Sequence, residues 1–299
     1  MNMEQLNQND FPSVFQAADL ASIDAQKNYT KIIACDILSM VIASALGIYN
    51  YQQNDSKLYI YIISGILLLI GLVLTIIIRT KQFEDIWYQG RALAESCKTL
   101  SWRFITCSET FEHSMDVEDA KQVFINRIGD LGNEFRDLDK IMCARLLSLP
   151  IITDKMVEIR GMSTLERKRF YIDNRLNNQK EWYSQKAEFN KKKYNMWFVV
   201  IIISQLLSSL CVLYLILHPN SNWNFIGLFT TISSSALSWL QMKQHQELKQ
   251  AYTTTVQELN MILAGAERIS TDTELSKFVL DSENAISREH TLWLAQKRH

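Results

Sequence analysis

Four stretches of this chain contain no Asp, Glu, Lys or Arg: Ile37–Asn54, Leu58–Ile78, Tyr194–Leu217 and Pro219–Met242, of 18, 21, 24 and 24 residues. A helix rises about 1.5 Å per residue, so roughly 20 apolar residues cross a hydrocarbon core about 30 Å thick. Three runs reach that length directly, and the first does so once Ile32–Asp36 joins it, giving a span over Ile32–Tyr49. One such run is compatible with a buried helix of a soluble core. Four, in two close pairs, predict two transmembrane hairpins with connections at Asn50–Lys57 and His218–Trp223. The remaining sequence carries every charge, at the density of a soluble helical surface. Only 3 Pro and 9 Gly occur, too few to punctuate a many-stranded sheet. The expected fold class is all-α: a polytopic membrane protein whose long helices extend from two transmembrane helical hairpins into a cytoplasmic helical bundle.

Basic residues orient the hairpins. Lys57 alone lies near the connecting turns, whereas Lys27, Lys31, Arg79, Lys81, Lys186, Lys191, Lys192, Lys193, Lys243 and Lys249 flank the opposite ends. The positive-inside rule then places both termini and the middle segment in the cytoplasm. Residues 1–30 lack the basic end and apolar core of a cleavable signal, so the first hairpin is expected to serve as its own insertion signal. The expected organisation is a cytoplasmic N-terminal helix (1–30), a first hairpin unit (31–111, spans 32–49 and 58–78), a cytoplasmic helical insert (112–162) and a second hairpin unit (163–299, spans 194–217 and 223–242). A formal net charge of −1 argues against nucleic acid as a direct ligand. Five cysteines without CxxC spacing suggest neither a disulfide framework nor a zinc site.

The polar segments read as helices. Apolar positions 83, 86/87, 93, 97, 100 and 104 keep helical spacing, which predicts that the second span continues unbroken from the membrane. The fourth span is likewise expected to run on through Gln244–Arg268. A helix is expected over Val117–Leu147, ended by Pro150. Ser163-Thr-Leu-Glu166 and Thr271-Asp-Thr-Glu274 match the capping box that opens a helix, and from the first of these nothing interrupts helical periodicity until Pro219. The halves share a plan: Tyr88 lies 10 residues beyond Ile78 and Tyr252 lies 10 beyond Met242, which suggests an architectural duplication.

Catalytic signatures are missing from the sequence. There is no GxxxxGK[ST], and Gly129-Asp-Leu-Gly132 is two glycines in a helical pattern. The five histidines form no i,i+4 pair, and no Gly-x-Ser-x-Gly elbow occurs. No enzyme, cofactor or metal is expected. Polarity inside the spans stands out instead. Thr230, Ser234, Ser238 and Gln241 recur at spacings that share one helix face, and the third span adds Ser204 and Ser208. Such residues either glue helices together or line a wet path, which would need several copies and therefore a homo-oligomer. Asp36, the one carboxylate within a span, is either a headgroup-level carboxylate or a pathway residue. Arg160, Arg167, Lys168, Arg169 and Arg175 read as a solvated face or as a phosphate site.

The segment Arg169-Phe-Tyr171-Ile-Asp-Asn-Arg175-Leu-Asn-Asn-Gln179-Lys-Glu-Trp182-Tyr183, followed by a basic tract and a hairpin, resembles the SLATT family, the SMODS and SLOG-associating two-transmembrane effector domains of bacteria. The end, with Glu283, Ser287, Glu289 and Trp293, is similar to that family's closing helix, and Arg91, Glu95 and Trp102 resemble the helix after the hairpin in tandem members. The similarity spans roughly 15–110 and 164–298. The resemblance implies a membrane-perturbing, pore-forming effector of the bacterial inner membrane in an anti-phage conflict system. It also implies membrane lipid as a partner and a neighbouring nucleotide-generating or nucleotide-sensing protein. The alternative is a non-conducting, membrane-anchored scaffold or sensor.

Overall fold

The computed structural model describes residues 6–50 and 55–297, with side chains described for 6–50 and 57–287. The described residues fold as helices: α1 (Ser13–Leu46), α2 (Asp55–Lys81), α3 (Phe83–Ile105), α4 (Val117–Glu134), α5 (Ala144–Leu147), α6 (Asp154–Arg160), α7 (Thr164–Tyr171), α8 (Asn178–Leu217), α9 (Ile226–Lys243), α10 (His245–Ala264) and α11 (Asp272–Lys297). A π-helical turn, Ile172–Asn177, joins α7 to α8. The protein is an all-α membrane protein. Three helical stretches, Ser13–Leu46, Lys57–Ile105 and Thr164–Leu217, are long and apolar enough to cross a membrane. The fourth charge-free run departs from that description. It forms the 18-residue α9, about 27 Å long, and its six Ser and Thr keep it less apolar than the others.

The chain divides into two compact units: a polar one (Met1–Gln26, Glu84–Ala187, Gln250–His299) and a span-bearing one (Lys27–Phe83, Glu188–Lys249). In the span-bearing unit the buried span positions are small: Ser39, Gly71, Ser204, Ser208, Ser233 and Ala236, with Ile201 the one larger side chain among the described span residues. Small residues let helix backbones approach where no hydrophobic drive exists between helices in lipid. Large apolar side chains point outward, Leu68 at 59% and Ile216 at 68% exposure, as expected where the solvent is acyl chain. The turns of the two hairpins are joined by backbone. The Asn50 N–H donates to Asn222 O at 2.8 Å and the Asn224 N–H to Ile48 O at 2.7 Å, forming an antiparallel bridge between Tyr49 and Trp223, whose rings meet edge to face at 4.8 Å.

In the polar unit the buried core includes Leu93, Cys97 and Trp102 of α3, Phe124 and Ile128 of α4, Phe170 and Tyr171 of α7, and Leu275, Val279 and Ile286 of α11, with the Trp102 ring against those of Phe170 and Tyr171. Both capping boxes form. Ser163 Oγ accepts from the Glu166 N–H while the Glu166 carboxylate accepts from the Ser163 N–H, and Thr271 and Glu274 do the same. Gly90 permits a close approach of α3 to α1: a Cβ at that position would lie 3.1 Å from Ala18 O and 3.2 Å from Ser22 N.

Three sequence expectations are corrected. The helix from Val117 stops at Glu134 instead of Leu147. Gly129 and Gly132 each lower its helix preference by about 1 kcal/mol relative to Ala, the Asn133 side chain accepts from Arg136 at 2.9 Å, and Leu138 is buried by a 3-10 turn. The helices expected to run unbroken through 82 and 244 both break there. Gln82 and Gln244 adopt left-handed backbone, φ 48° and 49°.

Candidate functional site

The residues singled out in the spans separate into two groups. Ser204 and Ser208 of α8 are buried within the span-bearing unit, at 5% and 8% exposure, and so occupy packing positions. Thr230, Ser234, Ser238 and Gln241 of α9 are all exposed. The buried positions of α9, Ser233 and Ala236, lie on a different side of the helix, so this polar stripe faces away from the unit's own helices. Two of the hydroxyls are satisfied locally as donors: Thr230 Oγ1 donates to Ile226 O at 2.8 Å and Ser234 Oγ to Thr231 O at 3.1 Å. Such back-bonding lowers the cost of a hydroxyl in a membrane and leaves its acceptor lone pairs open.

Asp36 is half-buried on α1. Its Oδ1 is buried without a hydrogen-bond partner and would lie 3.0 Å from a Cβ at Gly71. Ser39, one turn on, donates to the Asp36 carbonyl at 2.7 Å. The carboxyl therefore sits against the second span at the position where that span has no side chain.

The family-motif residues converge in the polar unit. Arg175 and Glu283 are fully buried, at 1% and 0% exposure, and paired. The guanidinium is bidentate, with Nε donating to Oε1 at 2.9 Å and Nη2 to Oε2 at 2.8 Å. The Tyr171 hydroxyl donates to Oε1 at 2.9 Å and Thr99 Oγ1 to Oε2 at 2.8 Å, while the Trp102 ring lies 5.9 Å from the guanidinium carbon. Burial alone would lower the Arg175 pKa, but the Glu283 charge outweighs it and holds the guanidinium above its ordinary value. Burial, and then Glu283, push the Tyr171 phenol well above its usual range. Arg91 pairs with Glu95 at 2.9 Å. Tyr183 OH donates to Ile286 O at 3.4 Å, and Trp182 packs on Tyr252. Gln179 and Ser287 are half-buried; the side chains of Glu289 and Trp293 lie outside the described residues.

For three members of the basic run both readings are corrected, while Arg169 is exposed and half-buried Lys168 donates to Ile269 O at 2.9 Å. Arg160, Arg167 and Arg175 are buried and committed: Arg160 donates to the carbonyls of Phe104, Phe111 and Glu112, and Arg167 donates to Asp272 at 2.6 Å. They are neither a solvated face nor open to a phosphate. The sequence offered no signal for Glu283 as the shared acceptor, because its partners are more than 100 positions away. A cleft of about 660 Å³ beside α3 is walled by Glu95, Glu109, Asp130 and Glu134 against Arg103 and Arg127, a net acidic lining that disfavours polyphosphates. Burial pushes the Cys97 thiol up to about 12, so it is not a reactive nucleophile.

A family model described as SMODS and SLOG-associating 2TM effector domain 3 matches residues 12–168, and one described as SMODS and SLOG-associating 2TM effector domain 1 matches residues 171–293. No curated protein and no solved structure matches the chain. The first match takes in residues 112–162, where no motif was legible, and the two matches meet beside the π-helical turn.

Proposed function

The chain belongs to the SLATT family, as two two-transmembrane effector domains in tandem, and from that premise we propose that it is a non-catalytic effector of the bacterial inner membrane. In this reading it assembles with copies of itself and, when triggered through its cytoplasmic helices, opens or disrupts the membrane. The observation that carries it is the outward polar stripe of α9, Thr230, Ser234, Ser238 and Gln241. Acyl chains offer nothing to its open acceptors, whereas a neighbouring helix or water does. One chain presents one such stripe, so enclosing water takes several copies. The clustering of basic residues away from the hairpin turns supports cytoplasmic termini. The association of the family with SMODS and SLOG proteins supports a trigger supplied by a nucleotide-generating or nucleotide-sensing neighbour in a defence system.

The test replaces Thr230, Ser234 and Ser238 together by Leu and measures dye leakage from liposomes alongside crosslinked assembly. Apolar side chains dewet a path, so the variant should insert and assemble normally while leakage falls at least tenfold. Unchanged leakage with intact assembly would place the path elsewhere, with Ser204, Ser208 and Asp36 next to be tested. Loss of assembly would mark the hydroxyls as the contact between copies. A wild-type protein that assembles and never leaks would favour the scaffold.

A further inference from the structure

Positive charge is concentrated in the span-bearing unit. That unit holds ten Lys and Arg against four Asp and Glu, a formal net charge of +6, whereas the polar unit holds 21 against 28, a net of −7. Of the ten, Lys57 alone is near the hairpin turns, where its ammonium lies 5.8 Å from the Tyr61 ring centre. The other nine sit toward the opposite ends of the spans.

Contacts within the unit put most of these cations at one depth. The Asp36 carboxyl is level with Gly71, so Lys31 lies about 8 Å and Arg79 about 12 Å further along the paired helices α1 and α2, away from the turns. Lys243 Nζ donates to Thr30 Oγ1 of α1 at 3.0 Å, and buried His245 pairs its Nδ1 with Asn190 Oδ1 of α8 at 2.7 Å. These two bonds bring the end of α9 beside Lys31 and beside the run Lys191-Lys192-Lys193. Lys31 to Lys81 then covers a band about 8 Å deep, close to the headgroup layer of about 5–8 Å on each side of a bilayer. The Trp197 and Trp239 rings, 6.1 Å apart, sit one turn from Lys193 and Lys243, as indoles do at a membrane interface.

These cations lack counter-charge. Among the described residues Lys27, Lys31, Arg79, Lys81 and Lys192 are exposed and make no ion pair. Half-buried Lys243 has a neutral acceptor in Thr30 and lies 5.2 Å from the Trp239 ring centre, and Lys193 lies 5.7 Å from that of Phe189. A ring face attracts a cation without neutralising it, and an ammonium carries three donors. A solvated helix face pairs its lysines with acids one turn away, as Lys121 and Lys155 of the polar unit do with Glu118 and Glu158. In the band, Lys191 alone does so, with Glu188 at 3.7 Å.

We propose that this end of the span-bearing unit binds anionic phospholipid headgroups, with phosphates of the leaflet on that side lodged against Lys31, Arg79, Lys192, Lys193 and Lys243. A phosphate supplies both the missing charge and the acceptors. A zwitterionic headgroup brings its own ammonium into the same band and gains less, so the unit selects anionic over zwitterionic lipid, and salt weakens the selection.

Electron spin resonance of chain-labelled lipids measures this in phosphatidylcholine nanodiscs holding the full-length protein, with spin-labelled phosphatidylglycerol compared against spin-labelled phosphatidylcholine. The protein-restricted fraction should favour phosphatidylglycerol about fivefold at about 0.05 M salt and approach parity at about 0.5 M. Lys192→Gln, Lys193→Gln and Lys243→Gln together should remove most of that preference. The same three positions changed to Arg should keep it, and Lys57→Gln should leave it unchanged. Equal restriction of the two lipids by the wild type would overturn the proposal, as would a preference that survives the triple Gln substitution or one that Lys57→Gln removes. Displacement of the labelled lipid by inorganic phosphate at constant ionic strength would assign the band to a soluble anion instead. If the triple Gln protein fails to reconstitute, the wild-type salt series and the Arg variant still decide. Lipid restriction is read without leakage, so its failure and that of the effector reading are distinguishable.

Discussion

The two units invert each other's rules. The polar unit buries charge: Arg160, Arg167, Arg175 and Glu283 are all inside it, with Arg160 over the Phe104 ring and Arg175 over the Trp102 ring. The charge-free helices of the other unit bury mostly small uncharged residues, with Ile201 the exception, and turn many of their leucines and isoleucines outward. The difference follows from the solvent. In water, large apolar side chains supply the drive for packing and leave room for a few costly charges if each has a hydrogen-bonded partner, as Arg167 and Arg175 do even though Arg167 Nε and Arg175 Nη1 make no bond. In lipid, apolar burial gains little, and close backbone contact with local hydrogen bonds does the holding.

The largest expected effect tests the first half of that contrast. Glu283→Ala strands the Arg175 guanidinium, the Tyr171 hydroxyl and the Thr99 hydroxyl inside the polar core, and should cost about 3–5 kcal/mol. Hydrogen exchange over residues 171–178 should rise with a lower thermal midpoint in detergent. The matching deletion among the spans, Ser204→Ala, should cost only about 0.6 kcal/mol. Equal losses for the two would erase the distinction between the units.

Glycines sharpen the comparison at intermediate size. Gly90→Ala drives a Cβ onto the backbone of α1 at Ala18 and Ser22, which cannot swing away, and should cost about 1–3 kcal/mol. Gly71→Ala meets the Asp36 carboxyl at 3.0 Å and Ser39 Oγ at 3.5 Å, both side-chain ends able to rotate. The helix preference of Ala, about 0.5–1 kcal/mol over Gly, offsets much of that contact. Thermal midpoints of the two variants should separate accordingly. A Gly71→Ala protein more damaged than Gly90→Ala would mean that the Asp36 contact is as rigid as backbone.

The smallest effect is a pH slope. Burial, then the charges of Lys243 and Lys193, lower the pKa of His245 from its usual 6.5. The folded state then binds a proton less readily than the unfolded one, so this contribution is complete above the ordinary value and declines as pH falls through it toward the lowered folded value. Exchange at the start of α10 should rise modestly on acidification below about pH 6.5, and His245→Gln should flatten that slope. An acid response that survives the substitution would assign it to another group.

Much of the fold was legible. Three of the four charge-free runs marked helices long and apolar enough to cross a membrane, because lipid forbids unpaired charge, and capping boxes marked helix starts because the bonds involved are three residues apart. The site was legible only as a set of candidates. Periodicity places Thr230, Ser234, Ser238 and Gln241 on one face but says nothing of which way that face points. Ser204 and Ser208 looked equivalent to them and proved to be buried.

The sequence by itself determined the membrane character, the helical class and the duplication, since each rests on residues near one another in the chain. Only the tertiary structure decided the rest. It turned three arginines inward, because a guanidinium is buried when an acceptor arrives from elsewhere in the chain, as Asp272 and Glu283 do. It also broke the helices at Gln82 and Gln244. Local preference at a glutamine favours continuing the helix. At Gln244, contacts to Thr30 and Asn190 favour the break, and those partners lie on α1 and α8, beyond the reach of any local pattern.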